Sequence, residues 1–152
     1  MNYYPPSGFF FAVSIRGGKS LDASFQEIDG ISMEMEMETI DWGGETGKHY
    51  QVPKGVKYSN LVLSRGVIII GSFFADWCFE TMQSTFEKKI RTKKVTVNLL
   101  DPKDADKSLA SWAFFDAYPV KWKISKFNAQ QSEIVTESIE LAYTYFTYEP
   151  NG

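Results

Sequence analysis

The sequence is nearly without cysteine and histidine, on which zinc sites and Cys–His or Ser–His catalysis rest. Of 152 residues, one is cysteine, Cys78, and one is histidine, His49. A single cysteine excludes an intrachain disulfide and fits a reducing compartment. With one His and one Cys there is no ligand set for a structural zinc, and no Ser–His–acid or Cys–His arrangement can be assembled. No metal, cofactor or catalytic residue is expected. Long apolar runs are missing too. The longest, residues 67–79, is broken by Gly71, Ser72 and Asp76, whereas a bilayer-spanning helix needs about 20 apolar residues. Positive charge is not in excess: 16 Lys and Arg against 19 Asp and Glu leave a net charge of −3. That disfavours a general nucleic-acid binder and insertion into, or attraction to, an anionic membrane. The start has no basic segment, and Pro5-Pro6 interrupts the approach to Phe9, so no secretory leader is legible there.

What is present argues for a folded β domain. Apolar residues make up 43% of the chain and aromatics 16%, enough for one domain, residues 1–152, with a real core. No repeat, linker or low-complexity stretch divides it. Residues 31–40 alternate almost without error. Met33, Met35 and Met37 have one parity, and Glu34, Glu36 and Glu38 the other. Side chains on a strand point to opposite faces with period two, so this is a strand with one apolar and one acidic face. Burying three carboxylates without partners would be costly, so the acidic face must be wet. The Met face is expected to pack on the core.

Seven further elements can be read. Residues 9–16 form a strand ended by Gly17-Gly18. Residues 23–42 read as strand, with Gly30 as a bulge or bend. Residues 42–57 look irregular, with Gly43, Gly44, Gly47, Pro53 and Gly55, and residues 58–63 as the next strand. Phe74, Cys78, Met82 and Phe86 recur every four residues, with Phe73 and Trp77 beside them. This predicts one helix over 72–88, capped by Ser72, followed by Lys88, Lys89 and Arg91 near its end, and docked on a sheet. Strands follow at 95–100, 109–115, 119–127 and 138–148, with a turn at Asp101-Pro102-Lys103-Asp104. In the strand over 119–127, Val120, Trp122 and Ile124 share one face and Lys121, Lys123 and Ser125 the other. About seven strands and one helix make a mainly β protein: a small antiparallel β-barrel or sandwich with one flanking α-helix.

Candidate chemistry is sparse. Same-face carboxylates two residues apart on a strand lie about 7 Å apart, near the spacing of an inverting glycosidase pair. Nothing around them suggests a sugar cleft, and a solvated strand face is the expectation. His49 reads as a loop residue and Cys78 as a small core hydrophobe. The glycines of residues 42–47 match neither a P-loop nor a dinucleotide fingerprint. The basic run of residues 88–94, with Lys88, Lys89, Arg91, Lys93 and Lys94, is a candidate outer-surface partner contact.

Taken in order, several stretches resemble the inner-tube proteins of contractile phages and related injection machines. Tyr3-Tyr4-Pro5-Pro6-Ser7-Gly8-Phe9-Phe10-Phe11 is similar to the family's opening strand. Phe25-Gln26-Glu27-Ile28-Asp29-Gly30-Ile31 resembles its "FQEVSGL" signature, followed by an acidic strand and a Gly-Gly turn at Gly43-Gly44. Lys57-Tyr58-Ser59-Asn60-Leu61-Val62-Leu63-Ser64-Arg65-Gly66 matches the segment before the helix. Ala117-Tyr118-Pro119-Val120-Lys121-Trp122 resembles "AWPVKW", and Glu133-Ile134-Val135-Thr136-Glu137-Ser138-Ile139-Glu140-Leu141-Ala142 resembles "EVAIETLELA". The likeness runs over nearly the whole chain.

The resemblance implies a structural, non-enzymatic subunit. Six copies would join their sheets into a ring with a continuous inner β-barrel. Rings would stack into a tube for cargo passage inside a sheath, above a baseplate. Closing a ring also removes unpaired strand edges. On this reading Glu34, Glu36 and Glu38 face the lumen. The segment Trp42, Gly43, Gly44, Glu45, Thr46, Gly47, Lys48, His49 and Tyr50 reaches a neighbouring subunit. Such a machine would assemble in the bacterial cytoplasm and act as a phage tail or a released particle. Val67-Ile68-Ile69-Ile70 departs from the pattern. Many bulk tube subunits are polar there, whereas some baseplate-proximal members are apolar, so both positions along the tube stay open. A type VI secretion ring protein of the same fold and a β-barrel ligand-binding module are the alternatives.

Overall fold

The computed structural model describes residues 10–15, 23–25, 27–41, 47, 49–66, 73–83, 89–129 and 132–150. It contains strands β1 (Phe10–Ile15), β2 (Ala23–Phe25), β3 (Glu27–Asp29), β4 (Met33–Asp41), β5 (His49–Tyr58) and β6 (Leu61–Gly66). Helix α1 (Phe73–Gln83) follows, then β7 (Lys93–Asp101), β8 (Asp104–Ala129), β9 (Ser132–Ala142) and β10 (Tyr145–Pro150). The mainly antiparallel β architecture with one helix is the expected one.

Seven strands run in the order β2-β1-β7-β8-β9-β6-β3, and β10 adds to β8. β2 and β3 are one residue apart in sequence yet sit at opposite ends of this sheet. A chain can do that only if the sheet curls round on itself, and β2 does lie against β6. The segment 23–29 is therefore the closing stave of a barrel: its first half pairs with β1 and its second half with β6. Inward-pointing Val13, Phe25, Leu61, Leu63, Val95, Val97, Phe114, Ile139 and Leu141 fill the interior, all buried.

The long predicted strand over 23–42 is thus three strands. Its break is at Gly30, as expected, where φ is +92°. A Cβ there would lie 1.9 Å from the backbone oxygen of Asn60. Two predicted strands, 109–115 and 119–127, are instead one 26-residue strand. The predicted strand over 138–148 is split between β9 and β10. Both differences share a cause. β8 pairs along one edge with β9 and then β10, and this double track bends at Asp116, whose φ is 55°. Aspartate tolerates the left-handed region better than most residues. Across the bend, the Thr144 N–H donates to the Phe115 carbonyl at 2.9 Å.

Helix α1 lies on the barrel with Phe74, Trp77 and Cys78 buried, positions i, i+3 and i+4 of one helical face. Phe74 meets Phe25 edge-on, 5.3 Å between centroids. Burial, and secondarily the charge of Glu137, push the Cys78 thiol from 9.0 up to about 12. It is the core hydrophobe expected. Met82 is exposed rather than docked, because the buried stripe turns through Trp77 and Cys78 and leaves Met82 at its margin. Residues 89–92 are not helical, so Lys89 and Arg91 lie beyond α1. Ser72, Phe86 and residues 9, 16–18 and 67–70 lie outside the described residues.

Among the described residues one carboxylate is inside. Glu137 on β9 is 6% exposed. It accepts from Arg65 Nε on β6 and from Trp122 Nε1 on β8, each at 2.9 Å. The Arg65 guanidinium also lies 4.9 Å from the Phe25 ring centre and 5.9 Å from that of Phe74.

Two stability outcomes follow. Gly30→Ala forces both positive φ and a backbone collision, so it should cost about 2 kcal/mol or more. That should lower the melting temperature by roughly 4–8 °C in a calorimetric scan. Glu137→Ala removes the carboxylate that neutralises Arg65 and accepts from Trp122. It should cost about 3–5 kcal/mol in urea titration, whereas exposed Glu36→Ala should stay within about 0.5 kcal/mol.

Candidate assembly surface

The acidic strand leaves the barrel. β4 and β5 form a separate two-stranded sheet, and all nine residues of β4 are exposed. The register pairs Met33 with Tyr58, Met35 with Val56 and Met37 with Pro53 on one face, and Glu34 with Lys57 and Glu38 with Val52 on the other. A bulge after Glu36 leaves Lys54 without an opposite residue. At the far end His49 Nδ1 meets Asp41 Oδ1, and Gly47 turns with φ of +96°. At the root Tyr58 packs edge-on against Tyr143 and Phe146 at 5.9 and 5.4 Å. There the Ser32 and Ser59 hydroxyls also bond at 2.9 Å.

Two expectations are corrected here. Residues 49–57 are not an irregular excursion: they are the return strand of a hairpin, so His49 and Tyr50 are strand residues. Trp42, Gly43, Gly44, Glu45, Thr46 and Lys48 lie outside the described residues. The Met row does not pack on the subunit core. Met33, Met35 and Met37 are 63%, 52% and 47% exposed, and Val56 beside them is exposed as well. The alternation was read correctly, but parity says only that the two faces differ. The apolar face of a hairpin that projects from the barrel has no core to meet.

The carboxylates Glu34, Glu36 and Glu38 stand on the open opposite face, with no ion pair or side-chain hydrogen bond among the described residues. Nothing there walls a catalytic cleft. Sequence reasoning missed a second charged surface. On β8 beyond Ala117, Lys121 and Lys123 point away from the core, opposite Glu140 and Ser138 of β9. Their polar parity was legible. Their position on an edge that no described strand covers was not, because it depends on where β7 stops.

The basic run is divided. Lys88 lies outside the described residues. Lys89 and Arg91 are exposed, while Lys93 and Lys94 are half-buried on β7. Lys94 Nζ sits 5.4 Å from the centre of the Phe115 ring, which stacks on Tyr145. Lys89, Arg91 and Lys93, with Trp77, Glu80 and Ile90, line a groove of about 380 Å³ beside α1. Among the described residues no group of His, Cys, Asp and Glu could hold a metal ion, and no helix is long and apolar enough to cross a membrane.

Residues 7–147 match the model of the T4-like virus tail tube protein gp19 family. The chain belongs to that tail tube family. Solved tube-machine structures share its fold. A chain of the anti-feeding prophage baseplate is 22% identical with a TM-score of 0.72, over 99% of this chain and 98% of that one. A chain of an extracellular contractile injection system sheath–tube complex is 19% identical with a TM-score of 0.72, over 96% and 90%. Hcp1 from Flavobacterium johnsoniae is 16% identical with a TM-score of 0.51, over 94% and 96%. No curated protein matches the chain.

The exposed Met row also yields a test within the single subunit. Met35→Glu should leave circular dichroism and melting of the unassembled tail tube protein within about 0.5 kcal/mol of wild type. A core position would lose several times that on burying a charge.

Proposed function

We propose that this chain is a structural subunit of the inner tube of a contractile injection machine, forming six-membered rings that stack around a wet lumen through which cargo passes. One observation carries the reading: a hairpin with an exposed methionine row projects from a barrel that has its own apolar core. A two-stranded hairpin is marginal alone, and an exposed apolar row of this kind marks a protein–protein contact. Family membership supports a tube and so a neighbouring copy. The filled barrel interior argues against a ligand-binding module, and the open face around Glu34, Glu36 and Glu38 against glycoside hydrolysis.

The working parts follow. The β4–β5 hairpin reaches an adjacent subunit with its Met face, which leaves the Glu face toward water in the lumen. Carboxylates repeated around a bore repel by only about 1 kcal/mol at 4 Å in water, less at wider spacing, so the lining is tolerable. The groove of Lys89, Arg91 and Lys93 beside α1 would take an acidic sheath or baseplate surface, in a salt-sensitive contact. The subunit has no catalytic task, and its place is a phage tail or an extracellular injection particle put together in the bacterial cytoplasm.

Electron micrographs of the purified chain at rising concentration should show six-fold rings and short stacks. Deleting residues 43–47 should leave subunit melting within about 1 kcal/mol of wild type, while stacking is lost. A chain that stays monomeric at high concentration would overturn the tube reading.

A further inference from the structure

Five methionines and one cysteine supply the sulfur of this chain. Three of the methionines stand in one row. Met33, Met35 and Met37 share a face of β4 and are 63%, 52% and 47% exposed. Same-face neighbours on a strand lie about 7 Å apart, so three thioethers are offered side by side to solvent. Across the hairpin they face Tyr58, Val56 and Pro53, and Val56 is itself 45% exposed. Met82 on α1 is less open, at 37%, and Cys78 is wholly buried. Met1 lies outside the described residues.

These sulfurs differ in chemistry as well as in access. A thiol reacts with oxidants as its thiolate. Burial, and secondarily the charge of Glu137, push the Cys78 thiol up to about 12, so it offers no competing thiolate. A thioether reacts in its ordinary neutral form, and access governs how fast. The product is a sulfoxide, which turns a flexible apolar side chain into a polar, chiral one. On a face that works by apolar contact, each new oxygen is an acceptor that must lose its water when the face is covered, and without a donor that loss is uncompensated.

We propose that the row of Met33, Met35 and Met37 is an oxidation-sensitive assembly site, at which a peroxide converts the thioethers of the free subunit to sulfoxides and so blocks assembly. This rests on the reading of the Met face as a contact between copies. In the step, a sulfur lone pair attacks one oxygen of hydrogen peroxide. The O–O bond breaks as the S–O bond forms, and the departing hydroxide takes the proton left on the transferred oxygen and leaves as water. Sulfur is oxidised by two electrons and the peroxide is reduced by two. Methionine sulfoxide reductases reverse the change. Because the three sulfurs have one parity, every added oxygen enters on the Met face, and the barrel core and the Glu face are untouched. A subunit is thus vulnerable before assembly and shielded after it.

Purified wild type is treated with hydrogen peroxide, which is then removed. Mass spectrometry should show Met33, Met35 and Met37 gaining oxygen ahead of Met82, while melting stays that of the untreated subunit. Sedimentation velocity should show that roughly tenfold or more protein is needed to assemble. Methionine sulfoxide reductases A and B, supplied with dithiothreitol, should restore assembly. A variant with Met33→Leu, Met35→Leu and Met37→Leu keeps the row apolar, and peroxide should leave its assembly unchanged. In preformed rings the three sites should oxidise several-fold more slowly than in free subunits. A row that is oxidised without loss of assembly, a row slower to react than Met82, a loss that the reductases do not reverse, or a Leu variant as sensitive as wild type would overturn the site and leave the tube reading standing. Untreated wild type that forms no rings would overturn both.

Discussion

The buried carboxylate of Glu137 is where the barrel is tied together. It stands on β9, takes one hydrogen bond from Arg65 on β6 and another from Trp122 on β8, and so fixes three neighbouring strands from the inside. Arg65 carries the tie further, since its guanidinium faces the rings of Phe25 on the closing stave and Phe74 on the helix. A buried ion pair adds little net stability by itself, because desolvation offsets the attraction. Its value here is geometric. A bidentate carboxylate accepts from two directions at once, and that is satisfied only when all three strands hold one register. The apolar residues around it would tolerate several packings; this group tolerates one.

With that tie made, the barrel is complete within one chain. The core strands, the helix and the closing stave pack around one apolar core. What is left over is concentrated in two places: the β4–β5 hairpin and the far half of β8. β4 and β8 residues 121–124 alternate between apolar and charged residues, and among the described residues each lacks a strand partner on one side. A chain evolved to remain alone would blunt such edges with short strands or inward-pointing charge. Here they are long, and the charges on them have opposite sign.

Much of this was legible in residue patterns. The period-two run at Met33–Glu38 announced its strand, and Phe74, Trp77 and Cys78 announced the helix face. Gly30 marked a real break. The failures have one origin. Alternation tells which residues share a face, not what that face meets. So the Met row looked like core, and residues 49–57, rich in Gly and Pro, looked like loop although they form the partner strand of β4. Pro53 and Gly55 are tolerated there because the strand is an edge with a bulge beside it. Likewise the gap around Asp116 looked like the end of a strand although β8 runs through it, while the predicted strand over 138–148 ran through Thr144, where the structure divides it into β9 and β10, since no local signal shows which side of a bend keeps its pairing. The charged surface of Lys121 and Lys123 was visible as a parity but not as an edge, which is a property of topology.

The 26-residue strand β8 has a consequence for how this family can change length. A single strand serves both walls of the barrel, so an inserted or deleted residue within it would turn every following side chain to the opposite face of both walls at once. Only sites where the register already shifts can absorb such a change. On β8 and its partners these are the irregularities between Leu99 and Asp101, between Lys93 and Val95, and between Pro119 and Lys121. Lineages of this protein should therefore gain and lose residues at the hairpin tip near Gly47 and at these few positions. The span between the bulges should keep its length while its side chains drift.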